Sequence, residues 1–221
     1  VLIRKTLRGA TVIDTAILVF AKAPQPGRAK TRLIPKLGAA GAARLHARLI
    51  ARTLRTARAA RFSAVELHVT PSRAHGLFAF YGKTFHIKKI ERQRGRDLGE
   101  RMHNALAGAL RRHRAAILIG TDCPALTPAD LRRAARLLRG SCDAVIAPAE
   151  DGGYALIGLR KVSAELFSGI VWGGPDVYAQ TAKKLDRTGY RWRALRTVWD
   201  LDRPADLERY ARLRLRSRRS S

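Results

Sequence analysis

Short apolar runs alternate with longer stretches in which apolar residues return at helical spacing, and this alternation organises most of the chain. Ala16 to Ala21 is a continuous apolar run of strand length. It is closed by Lys22-Ala23-Pro24-Gln25-Pro26-Gly27, a composition that cannot continue a strand. From about Ala39 to Ala60, Leu45, Leu49, Ile50 and Leu54 recur near the α-helical period, with Arg44, Arg48, Arg52 and Arg55 on the other side. Val65, Leu67 and Val69 alternate as in a strand, Phe85 to Ile90 reads as another, and Leu98 to Leu110 reads as a helix carrying Met102, Leu106 and Leu110 inward. The clearest strand is Ala115 to Gly120, stopped abruptly by Thr121-Asp122-Cys123-Pro124. A helix then starts near Thr127-Pro128, with Thr127 as N-cap and Pro128 at the first helical position. Ala144 to Pro148 and Tyr154 to Leu159 bracket a short loop as a hairpin-like pair. The last third predicts a helix from Pro175 to Thr188, a strand from Arg191 to Val198, the turn Asp200-Leu201-Asp202, and a helix after Pro204.

Strands that alternate with helices predict a sheet built from crossover units: a single-domain, three-layer α/β/α fold with a mostly parallel, Rossmann-like sheet. No internal repeat and no domain-separating linker interrupts the pattern. Residues 15–212 read as the domain, 1–14 as an N-terminal extension and 213–221 as a basic C-terminal tail. No apolar run approaches the roughly 20 residues needed to cross a bilayer, so no membrane span is expected. The first residues lack the continuous apolar core and cleavage site of a signal peptide. The cysteines, Cys123 and Cys142, have no Cys or His at zinc-site spacing, which fits buried thiols in a cytoplasmic, reducing setting.

Charge changes this picture. Lys and Arg number 44 against 17 Asp and Glu, a formal +27 that must attract polyanions. Much of the excess is Arg on outer helix faces, and aromatics are only 6% of the residues, whereas nucleic-acid binders more often interleave the two. A solvated basic surface with nonspecific polyanion contact is the expectation, and a noncatalytic polyanion-binding protein is the alternative outside the enzymes.

In an open α/β sheet, ligands lie outside the carboxyl ends of the strands, so the loops that follow strands are searched first. The segment Lys22 to Leu33 follows the first strand. Gly27 allows close backbone approach, and Lys22, Lys30 and Arg32 offer charge for a di- or triphosphate, although a solvated basic loop has the same composition. The Gly-Lys-Ser/Thr ending of a Walker A loop is absent. Asp122, at the tip of the clearest strand, suits a magnesium ligand or an ordinary turn residue. Asp200 and Asp202 form a carboxylate pair if locally extended, or cap the final helix.

Taken in order, five segments resemble a known family: Lys22 to Leu33, Asp97-Leu98-Gly99-Glu100-Arg101-Met102, Gly120 to Pro124, Asp151 to Leu159, and Asp200 to Leu207. The sequence is similar to bacterial glycosyltransferase-like proteins, some of the arsenosugar-biosynthesis type. These share the nucleotide-diphospho-sugar transferase (GT-A) fold with molybdopterin and phospholactate guanylyltransferases. The resemblance implies a nucleotide or nucleotide sugar over the first loop, near Lys22, Pro24, Gly27, Lys30 and Arg32, with Asp97 and Arg101 bordering its pocket, or Asp97 only capping its helix. It implies a divalent metal, Mg2+ or Mn2+, at Asp122 with Asp202 and Asp200, and catalytic roles for Asp122 and Lys30. Asp151, Gly152, Gly153, Tyr154 and Trp172 would face a small-molecule acceptor, the alternatives being a tight turn between strands for 151–154 and core packing for Trp172. One departure stands out. Relatives commonly place Ser or Thr after the Trp, where this chain has Trp172-Gly173-Gly174-Pro175.

The function these implications carry is nucleotide-dependent group transfer, with a metal-dependent glycosyltransferase in front. A nucleotidyltransferase that releases pyrophosphate is the enzymatic alternative, favoured by the basic first loop because a triphosphate brings more charge to neutralise.

Overall fold

The computed structural model describes residues 13–219. Seven strands form one sheet: β1 (Ile13–Lys22), β2 (Phe62–Thr70), β3 (Lys89–Arg92), β4 (Ala115–Gly120), β5 (Ala144–Pro148), β6 (Tyr154–Leu159) and β7 (Trp192–Ala194). Their order is β3-β2-β1-β4-β6-β5-β7, and only β6 runs antiparallel to its neighbours, β4 and β5. The helices are α1 (Ile34–Ala59), α2 (Gly76–Thr84), α3 (Leu98–Leu110), α4 (Pro128–Arg139), α5 (Val177–Arg187) and α6 (Asp206–Arg219).

The strand period explains the layers. Along β1, Ile17, Val19 and Ala21 point to one face, where Ile50, Leu54, Phe78 and Leu131 bring in α1, α2 and α4. Ala16, Leu18 and Phe20 point to the other, where Met102, Leu106 and Leu185 bring in α3 and α5. Because both faces are covered, β1 and β4 read as unbroken apolar runs rather than alternating ones. Each fully buried Leu, Ile, Val, Phe or Met among them stabilises the fold by about 1.5–3 kcal/mol relative to exposure. A third cluster joins Leu33, Leu45 and Leu49 to Trp199, Leu201 and Tyr210, and so ties α6 to the back of α1.

Local chemistry sets the element ends. Thr127 caps α4 through a reciprocal box: its hydroxyl accepts from the Asp130 N–H at 3.2 Å, and Asp130 accepts from the Thr127 N–H at 2.9 Å. In α1, Gly38 breaks helical geometry at φ 68°, so the regular helix begins at the Ala39 expected from spacing.

Several expectations differ from the structure. Helix α2 was not foreseen, because Gly76, Gly82 and three aromatics read as neither helix nor strand; Phe78 and Tyr81, a helical step apart, anchor it in the core. The strand expected at Phe85 to Ile90 begins only at Lys89, since Phe85 closes α2 and Ile87 drops into the core from the turn. The strand expected over Arg191 to Val198 keeps ladder geometry for Trp192–Ala194 alone, with an isolated bridge from Val198 to Ala149. The segment read as a basic tail continues α6 to Arg219, and β1 takes in Ile13 and Asp14 from the segment read as an extension. The rest of that extension, and residues 220–221, lie outside the described residues. Both cysteines are free and buried, and among the described residues no helix is long and apolar enough to cross a membrane.

Candidate active site

The parallel strands end on one edge, and there the chain opens a cleft of about 500 Å³ lined from Gln93, just past β3, across β2, β1 and β4 to β6. Its floor is set by backbone pairing. The Ala23 N–H donates to Thr70 O at 2.8 Å, which joins the ends of β1 and β2, and the Leu201 N–H donates to Asp122 O at 2.8 Å. That second bond brings the Asp200-Leu201-Asp202 turn beside the tip of β4.

The first loop folds back on itself, with the Gln25 carbonyl accepting from the N–H groups of Arg28 and Ala29, both at 3.1 Å, and with Gly27 at φ +76°. Lys30 then adopts the left-handed region (φ 50°, ψ 47°), which costs a non-glycine residue about 1–3 kcal/mol. The reason lies at the other end of its side chain, which is only 3% exposed. Its ammonium donates to Leu201 O at 2.6 Å and sits 2.7 Å from Asp122 Oδ1 and 3.8 Å from Asp202 Oδ1. Asp202 also pairs with the exposed Arg32 guanidinium.

Four carboxylates, Asp122, Asp151, Asp200 and Asp202, line the cleft. Burial pushes the Asp200 carboxyl up to about 7, reinforced by the charges of Asp151, Asp122 and Asp202 and opposed by Lys30. Among the described residues, no set of three or more His, Cys, Asp or Glu side chains is arranged to hold a metal ion by itself. A hard cation that fills its coordination with water and phosphate oxygens needs only one or two carboxylates, which this cleft offers.

The structure adds His46, a lining residue that sequence reasoning passed over. Buried in α1, its Nε2 lies 3.0 Å from Lys22 O, so that nitrogen carries the proton; Nδ1 has no hydrogen-bond partner and lies 3.8 Å from Asp122 Oδ1. Burial lowers its pKa against the pull of Asp122, which keeps the ring neutral. The only sequence signal was a histidine on the apolar face of an otherwise arginine-studded helix.

Among the remaining expected residues, Lys22, Arg101, Asp151, Gly153, Tyr154 and Trp172 line the cleft, whereas Pro24, Gly27, Arg32 and Asp97 do not. Asp97 caps α3 instead, its Oδ1 accepting from the Glu100 N–H at 2.8 Å. The Tyr154 hydroxyl points to Met102 Sδ at 4.0 Å, and burial pushes its phenol up. Gly152 does not line the space but shapes it. At φ +88° its Cα faces Pro175 so closely that a Cβ there would stand 1.7 Å from the Pro175 carbonyl oxygen. Trp172 is held the same way, because a Cβ on Gly99 would reach its ring at 2.9 Å. The Trp172 to Pro175 segment, which lacks the relatives' hydroxyl, is thus a wall clamped at both ends by glycine.

The family model described as "Uncharacterized protein conserved in bacteria (DUF2064)" matches residues 53–174. No curated protein matches. Among solved structures, a provisionally assigned nucleotide-diphospho-sugar transferase from Desulfovibrio desulfuricans G20 is similar at 33% identity and TM-score 0.78, covering 86% of this chain and 83% of its own. A CMP-2-keto-3-deoxy-manno-octonic acid synthetase with CTP shares the fold at 13% identity and TM-score 0.58, over 92% of this chain and 99% of that one. So does glucosyl-3-phosphoglycerate synthase of Mycobacterium tuberculosis, with manganese, UDP and glucosyl-3-phosphoglycerate, at 10% identity and TM-score 0.54, over 87% and 73%.

Proposed function

This chain belongs to the DUF2064 family of bacterial proteins, and we propose that it is a nucleotide-dependent transferase that moves a glycosyl group from a nucleotide sugar to a small acceptor. The observation that carries the reading is the gathering of Asp122, Asp151, Asp200 and Asp202 at the carboxyl ends of the strands, in a chain where basic residues outnumber acidic ones 44 to 17. Carboxylates concentrated against the overall charge mark a place built for a cation. Asp122 and Asp202, with Asp200 beside them, are the residues to hold magnesium or manganese, which when bound would neutralise charge on a departing diphosphate.

The chain's own residues have distinct tasks. Lys30 spends its charge on Asp122 and Asp202, holding the two carboxylates in register across the β4 tip. Lys22, on the cleft wall, is left to face donor phosphate. The neutral His46 Nδ1 is the acceptor available to a hydroxyl or water near Asp122. Trp172 and Tyr154 line the acceptor side.

This division of labour favours glycosyl over nucleotidyl transfer. Of the three first-loop cations that argued for a triphosphate, Lys30 and Arg32 are engaged by carboxylates, which leaves Lys22 alone of that set. Calorimetry with nucleotide sugars and nucleoside triphosphates, with and without magnesium, tests the reading. Metal-dependent binding of a nucleotide sugar is expected; binding of free triphosphates alone would replace glycosyl by nucleotidyl transfer.

A further inference from the structure

The cleft continues beyond the β2 and β3 ends. Past Thr70, Gln93 and Arg101, which face both spaces, it opens into an annex of about 690 Å³. Its walls carry Arg73, Arg92, Arg94 and Arg101 against one carboxylate, Glu91. Elsewhere, Arg96 is paired with Glu100 and Arg112 with Glu66. Among the described residues, none of the four annex arginines has a carboxylate partner.

The annex is also built. Gly95 lies at φ +145° with its Cα pressed on the first turn of α3, where a Cβ would meet the Arg101 nitrogen at 2.6 Å. This brings the Gly95 carbonyl within 3.2 Å of Arg101 Nε, which fixes the guanidinium and leaves its Nη groups without protein partners. Arg73 is loosely held by Ile90 O at 3.4 Å, and the Arg94 carbonyl accepts from Asn104 Nδ2 at 3.0 Å, which anchors that residue's backbone. Unpaired guanidiniums around a pocket, that of Arg101 already oriented by Gly95, match the oxygens of a phosphate dianion by paired N–H donors.

We propose that this annex is a phosphate subsite, so that the substrate spanning the cleft carries a phosphomonoester at the β2–β3 side in addition to any diphosphate at the carboxylate side. The inference deepens the transferase reading and rests on it for the substrate's identity, but not for the binding of phosphate itself.

The test is calorimetry on the full chain at physiological ionic strength without divalent metal, with glycerol 3-phosphate, inorganic phosphate and glycerol as probes. Saturable binding of glycerol 3-phosphate and none of glycerol are expected. The Arg92→Ala/Arg94→Ala variant should weaken it roughly tenfold or more. The Arg133→Ala/Arg136→Ala variant on α4, which removes the same net charge, should not. Equal affinity for inorganic phosphate would mean that the dianion alone is read, and a preference for glycerol 3-phosphate that the ester is; either upholds the subsite. No binding by the unmodified protein, no loss in the annex variant, or equal loss in both double variants would overturn it. Asp122→Ala should leave phosphate binding intact. Phosphate binding without any nucleotide binding would remove the transferase reading and keep the annex; nucleotide binding without phosphate binding would do the reverse.

Discussion

His46 shows how much one buried side chain can be asked to do. Its Nε2 is tied to Lys22 O, and the other nitrogen faces Asp122 with nothing to accept from, an arrangement that costs stability unless a ligand uses it. The expected outcome for His46→Leu is a loss of about 1 kcal/mol from the bond to Lys22. Transfer should fall far more, by roughly a hundredfold in kcat. Turnover measured beside thermal unfolding separates the two, and a variant that turns over normally removes His46 from the chemistry. Glu66 carries a stability claim of a different kind. Burial alone would raise its carboxyl, but hydrogen bonds from His68, Arg112 and Lys89 more than reverse this and hold it at about 2. A depressed carboxyl contributes stability above its unfolded pKa, near 4.5, and loses it as pH falls toward 2. Glu66→Gln should therefore cost roughly 3 kcal/mol at neutral pH, and the gap to the unmodified protein should close between pH 4.5 and 2 in denaturant titrations.

Elements differ in how plainly the sequence announces them. Strands β1 and β4 were legible because burial on both faces leaves an uninterrupted apolar run, and α4 because its cap is made by neighbours in sequence, Thr127, Pro128 and Asp130. Helix α2 was not, since its stability comes from Phe78 and Tyr81 entering a core assembled by distant segments. Site residues follow the same rule. Asp122 was visible as a polar residue stopping a strand; His46 was hidden because its role depends on Lys22 O and Asp122 coming together around it. The Asp151 to Tyr154 loop offers a test at this scale. Gly152→Ala places a methyl group against Pro175 at a left-handed φ, so the loop or the Trp172 wall must move. Destabilisation of about 2–4 kcal/mol is expected, with weakened acceptor affinity and little change in donor affinity. Unchanged unfolding would mean that the clamp between these segments is not formed.

Across the whole molecule, the +27 charge and the acidic cleft pull in opposite directions. Polyanion contact with the basic exterior would weaken steeply with salt, whereas a metal-bridged nucleotide as proposed for Asp122 and Asp202 would depend on the cation and little on ionic strength. Lys30 is the residue that reconciles them, keeping the cleft folded by standing between its two carboxylates. The most direct measurement is electron paramagnetic resonance of manganese titrated with the protein and a nucleoside diphosphate. The free-manganese signal should fall in the unmodified protein and be restored by Asp122→Ala and by Asp202→Ala. A signal that falls equally in both variants would place the cation elsewhere and end the case for a metal at Asp122 and Asp202.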